Sequence, residues 1–190
     1  MGKKFFFLST LAMSSFLFAA NPVTVGPTGN FTTIQAAISS WCAGGANAGE
    51  TAPFTINVDP SVTYDEQITL DPARTGLGNI SGAIVIQSAT PGTLVPIKVQ
   101  GGQGQTAPYA HGIIVHQQAA GNNVTFKDLL LYPSTTNPFT RAIVKIDQTS
   151  VNTNVKTVTL DNCILTEIYA DGTPMITSRA QAYTAPTGPA

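Results

Sequence analysis

The sequence predicts an all-β chain, a solenoid of stacked parallel coils closed at its start by one amphipathic helix. Three observations predict it. Short segments rich in Val, Ile, Thr and Phe follow one another over residues 54–167, separated by Gly, Pro, Asn and Asp. These segments are weakly self-similar. "GAIVIQ" starts at Gly82, "GIIVHQ" at Gly112 and "RAIVKI" at Arg141, while "VTFKDLLL" at Val124 matches "VTLDNCIL" at Val158. Fixed self-similarity at about 20–50 residues marks a solenoid or propeller, and periods built of several short strands without helix suit a β-solenoid. Finally, a single helix-period pattern precedes the strands. A β-sandwich is the competing architecture, but the two-residue Asn-Gly or Asp-Gly hairpin signals it needs are scarce here.

Residues 1–20 read "MGKKFFFLSTLAMSSFLFAA". Lys3 and Lys4 form a basic start, residues 5–18 an apolar run and Ala19-Ala20 a small-residue end, the pattern of a removable secretory signal peptide. A membrane-anchoring helix is the alternative, and the run is short for one. About 170 residues then remain, enough for one domain with a real core. Removing Lys3 and Lys4 from the nine basic residues leaves seven against ten acidic ones, a net charge near −3. That balance attracts neither nucleic acid nor an anionic membrane. Only 10% of residues are charged, so the expected surface is polar without being ionic.

Residues 21–53 hold a short β-like stretch, the helix and a loop. Phe31, Ile34, Ile38 and Trp41 fall on one helical face, Thr32 and Gln35 have the spacing of a capping box, and Gly44-Gly45 end the helix. "AGGANAGETAP" (43–53) is a loop. The helix has a physical purpose: a solenoid's open end exposes core and unpaired strand edges, and an amphipathic helix covers both. Residues 54–180 form the coils, roughly five of them. Their strands are "FTINV" (54–58), "QITL" (67–70), "AIVIQS" (83–88), "PIKVQ" (96–100), "GIIVHQ" (112–117), "NVTFKDLLLY" (123–132), "AIVKID" (142–147) and "VKTVTLDNCILTE" (155–167). Residues 181–190 are a Pro/Gly-rich tail.

"VTVGPTGNFTTIQAAI", beginning at Val23, resembles the start of secreted pectinesterases and related pectin-lyase-like proteins. The resemblance implies a right-handed parallel β-helix. "VTYDEQITL" (62–70) is similar to the family's Gly-x-Tyr-x-Glu segment through Tyr64 and Glu66, with Val62 where the family has Gly. The catalytic stretches depart from the family. Arg141 stands in the position of one oxyanion-holding Gln, and Ala170 in that of the second. Asp171, in "DNCILTEIYADGTP" (161–174), stands at the first catalytic Asp if one residue is inserted. The second Asp and the Arg have no counterpart, since Arg179 comes too early. An ester hydrolase without oxyanion donors loses about 10²–10³ per donor. "ADGT" is also a good turn sequence, which gives Asp171 an ordinary role.

Other constellations point less sharply. Asp59, Asp65, Glu66 and Asp71 form the densest acidic group, and hard cations want such oxygen clusters, yet no calcium-binding repeat is present. His111 and His116 fall on opposite faces of an ideal strand with no third ligand near. Tyr64, Tyr109, Tyr132, Phe139 and Tyr169 lie in or near turns, where aromatics stack on sugars or fill the core. Asn122, Asn123 and Asn162 suit Asn ladders at coil corners. An exported pair of cysteines can form a disulfide, but Cys42 ends the helix and Cys163 lies in a late strand, so contact is not implied. The expectation is a secreted or cell-surface β-helix, non-catalytic as it stands, binding or displayed on extracellular polysaccharide or the cell surface, with no cofactor, metal or nucleic-acid partner and no membrane span once the signal is removed. The rivals are a pectinesterase-type enzyme truncated before its full site, and a structural module of an adhesin or fibre.

Overall fold

A computed structural model describes residues 21–42, 44–48, 53–70, 82–101, 111–116, 123–136, 142–147, 157–166 and 176–179. These residues are mostly strand. One helix, α1 (Ile34–Trp41), follows β1 (Val23–Val25). The remaining strands are β2 (Phe54–Val58), β3 (Tyr64–Glu66), β4 (Thr69–Leu70), β5 (Ile84–Ser88), β6 (Val95–Val99), β7 (His111–His116), β8 (Val124–Lys127), β9 (Leu129–Pro133), β10 (Ala142–Asp147), β11 (Val158–Asp161), β12 (Ile164–Leu165) and β13 (Ile176–Arg179). They form three sheets, ordered β1-β2-β5-β8-β11, β3-β6-β9-β12 and β4-β7-β10-β13. All strand pairs are parallel. From β2 onward the chain visits the three sheets in rotation, and each new strand lies beside the one laid down a turn earlier.

Alternation fixes which side of each strand faces in. "FTINV" alternates buried and half-buried, and β5, β6 and β9 do the same. In the first sheet Val23, Ile56, Ile86, Phe126 and Leu160 pair in one row across five strands. Inward residues of all three sheets join a single apolar core.

The corners revise the expected strands. Residues 123–132 and 155–167 are each two strands, broken at Asp128 (φ 56°) and Asn162 (φ 48°). Asp and Asn are among the few residues with a side chain that enter the left-handed region without heavy cost. The two corners stack: Asn162 Nδ2 donates to Asp128 Oδ1 at 2.6 Å, and the Gly92 amide donates to Asp128 Oδ2 at 3.2 Å. Asn162 thus lies at a corner as expected, but its partner is Asp128 rather than another Asn. Asn123 accepts from the Thr157 amide at 3.3 Å, and Asn122 lies outside the described residues.

The bonds from Asn162 and then Gly92 hold the Asp128 carboxyl below its ordinary value. A depressed folded pKa stabilises above the unfolded value, about 3.9, and that contribution is lost as pH falls through the folded one. Melting temperature is therefore expected to drop on acidification, and Asp128→Asn, which keeps the left-handed corner, should flatten part of the drop. Thermal unfolding followed by circular dichroism across that pH range checks this; an unchanged slope in the variant would remove Asp128 from the account.

The two repeats fare differently. The match of "VTLDNCIL" to "VTFKDLLL" is the true register, since Val158 pairs with Val124. The other set mixes sheets: β5 belongs to the first sheet, whereas β7 and β10 belong to the third. Similarity aligns Val144 with Val115, but Val144 pairs with Ile113. A two-residue slip keeps every side chain on its face, so the apolar pattern alone does not detect it. Strands β3 and β13 were not foreseen.

Helix α1 sits against β1 and β2, with Ile34, Ala37, Ile38 and Trp41 buried and the Trp41 ring stacked on Phe54 at 5.1 Å. Its N-cap is Thr33, one residue after the expected Thr32, and the Thr33 hydroxyl accepts from the Ala36 amide at 3.1 Å. Thr33→Ala is expected to cost about 1 kcal/mol, measured as a lower urea midpoint at unchanged m. Gly44 follows the helix at φ +90°, a conformation that residues with a side chain rarely adopt. Cys42 is buried, Cys163 half-buried, and both are free thiols. Among the described residues no helix is long and apolar enough to cross a membrane.

Candidate functional site

The second sheet carries acidic, basic, aromatic and apolar side chains together on its outer face. Its inward residues Tyr64, Ile97, Val99, Leu129 and Leu131 are core, so the alternate residues face outward. Two outward rows lie side by side. In the first, Asp65 pairs with Lys98 and Lys98 with Tyr132. In the second, Pro96 pairs with Leu130 and Leu130 with Ile164. Adjacent strands lie about 4.8 Å apart, so each row is a regular line of three side chains crossing the strands. Ile164 is 49% exposed, the one exposed large hydrophobic among the described residues.

Asp65 is exposed but held. Gln100 Nε2 donates to its carboxylate at 3.0 Å and to its backbone oxygen at 3.1 Å. The Ser134 hydroxyl is the largest influence on the carboxyl, ahead of Gln100 and the Lys98 charge, and the set keeps it below the usual carboxylate range. Asp65 is therefore ionised at neutral pH, an acceptor of fixed position.

Asp65 also borders a cavity of about 320 Å³ between Gly26-Pro27, Thr32-Thr33 and residues 62–66. This is the low end of the range for small-ligand pockets. Tyr64 forms its inner wall: the ring is buried, and its hydroxyl donates to the Val25 carbonyl at 3.1 Å. Burial, with the Asp59 charge second, pushes the Tyr64 hydroxyl up to about 12. Tyr64 is thus a neutral structural donor, not an acid or base at working pH.

Glu66 closes the cavity and has a structural task. Its two carboxylate oxygens accept from the Ile34 amide at 3.0 Å and the Gln35 amide at 2.9 Å, the free donors of the first helical turn. Burial pushes its carboxyl up, and the Gln35 and Ile34 amides only partly offset this. Gln35 does not reach back to the cap as a capping box requires. Its Oε1 accepts from the Thr69 amide at 2.7 Å and its Nε2 donates to the Thr69 carbonyl at 3.2 Å, so the side chain substitutes for a strand beside β4.

The predicted acidic group is therefore dispersed. Asp59 closes a turn by accepting from the Ser61 amide at 2.9 Å, Asp65 faces outward and Glu66 caps α1. Asp71 lies outside the described residues, and among the described ones no group of His, Cys, Asp and Glu could hold a metal ion. His111 and His116 bound β7. Asp171, Arg141, Ala170, Tyr109, Phe139 and Tyr169 lie outside the described residues, as does the 1–20 segment. Of the aromatics named from sequence, Tyr64 is core and Tyr132 is on the outer face. Lys98 was not singled out, although it precedes Tyr132 by the same interval that separates Val124 from Val158, the true repeat. No protein-family model matches this chain, and neither a curated protein nor a solved structure matches it.

Proposed function

We propose that the chain is an exported right-handed parallel β-helix that binds extracellular polysaccharide through the outer face of its second sheet. The observation that carries this reading is the in-register row Asp65–Lys98–Tyr132 beside an apolar row. A fixed acceptor, a donor and a half-exposed phenol at regular spacing beside an apolar line are what an extended chain of hydroxyl-rich rings engages: polar edges to Asp65, Lys98 and the Tyr132 hydroxyl, apolar ring faces to Pro96, Leu130 and Ile164. Rotation of the chain through three parallel sheets supports the β-helix, and the basic-then-apolar start supports export. In the segment that resembles pectinesterases, Tyr64 and Glu66 have core and capping duties. The resemblance there therefore speaks to fold rather than to chemistry.

The test is retention of the purified chain in native gels containing soluble polysaccharides. Slowed migration on at least one is expected, with Tyr132→Ala moving as in a blank gel. Migration unaffected by every polysaccharide would leave the adhesin or fibre reading in its place. Release of methanol from methylated pectin, lost in Asp171→Ala, would replace the binding reading with the esterase one.

A further inference from the structure

We infer that the ligand is a neutral linear glycan lying across strands β3, β6, β9 and β12, its ring faces on Pro96, Leu130 and Ile164 and its hydroxyls on Asp65, Lys98 and Tyr132. The inference rests on the polysaccharide-binding reading and names its ligand class and direction. Charge decides the class. Among the described outward residues of this sheet Lys98 is the one cation, and it pairs in register with the carboxylate Asp65. The face is balanced, with no cation in excess for a polymer that carries a carboxylate on every ring. The chain's negative net charge works against such a polymer as well.

Direction follows from the rows. Apolar and polar residues segregate into two lines perpendicular to the strands, not along them: Pro96–Leu130–Ile164 in one, Asp65–Lys98–Tyr132 in the other. A ligand running along a strand would meet Pro96 and then Lys98, or Leu130 and then Tyr132, and no more. One crossing the strands meets an unbroken apolar line with polar groups along one side, the arrangement a flat ring with equatorial hydroxyls matches. The apolar line ends at the well-exposed Ile164, and the polar line reaches the Asp65 cavity at its other end.

Affinity electrophoresis of the full chain against hydroxyethylcellulose, galactomannan and polygalacturonate tests this, at low and at high salt. Retention on a neutral glycan, unchanged by salt, is expected. Tyr132→Ala and Ile164→Asp, both surface changes, should each weaken it about tenfold, with parental circular dichroism. Retention on polygalacturonate alone, weakened by salt, would overturn the neutral assignment and leave polysaccharide binding standing. Retention on none would overturn both. Binding to a neutral glycan that survives Ile164→Asp and Tyr132→Ala would move the site off this face.

Discussion

Replacing Phe126 by Ala is expected to lower stability by about 3–5 kcal/mol, the largest single effect of any substitution considered. Phe126 is fully buried, fourth in the five-strand row, between Ile86 and Leu160. The backbone on either side is fixed by parallel pairing, so the walls of the cavity left behind have little freedom to collapse. Position in the stack sets the size of the effect. Its neighbour Leu160 is only half-buried, so Leu160→Ala should cost much less. Urea unfolding of the two variants tests the ranking. Equal losses would mean that β11 is covered more completely than its half-buried residues indicate.

That row also explains what was legible beforehand. Parallel stacking places residues of like burial at equal steps, so the repeat between Val124 and Val158 carried true register, and strict alternation in "FTINV" fixed β2 to its last residue. Step length is not constant, however. Phe54 pairs with Ile84 and Ile84 with Val124, and the second step along the chain is clearly longer than the first. A fixed period therefore aligned β5 with strands of another sheet. The corner at Asp128 was hidden because Asp marks many kinds of turn and this one stands beside no Gly or Pro; Asn162 was expected at a corner, but its segment still read as one unbroken strand. The candidate site was half-legible. Asp65 and Tyr132 stood out singly as an acid and an aromatic, but only the strand register joins them, and Lys98 between them belongs to a segment that reads as ordinary strand.

The cap was misread for a different reason: Thr33 makes the local bond, and the acceptor for the first two helical amides is far along the chain. A capping box is a contract within four residues, and "TTIQ" satisfies its spelling. In the folded chain Gln35 serves β4, and Glu66, far along the sequence, accepts from its amide. Glu66 thus ties the helix to the first turn of the stack. Glu66→Ala is expected to cost about 2–4 kcal/mol, since it leaves two half-buried amides without acceptors. The charge is held there at a desolvation cost. The carboxyl is pushed above its ordinary value by burial, so its contribution is full below the unfolded pKa, about 4.3, and declines as pH rises through the folded one. Glu66→Gln keeps one acceptor oxygen and turns an NH2 toward the other amide, so it is expected to lose about 1–2 kcal/mol at neutral pH, less than Ala, and to remove the decline with rising pH. Urea midpoints for both variants at mildly acid and neutral pH decide the matter. Should Gln prove as damaging as Ala, the carboxylate's charge at the helix N-terminus outweighs its burial, and the sign of the pH dependence reverses with it.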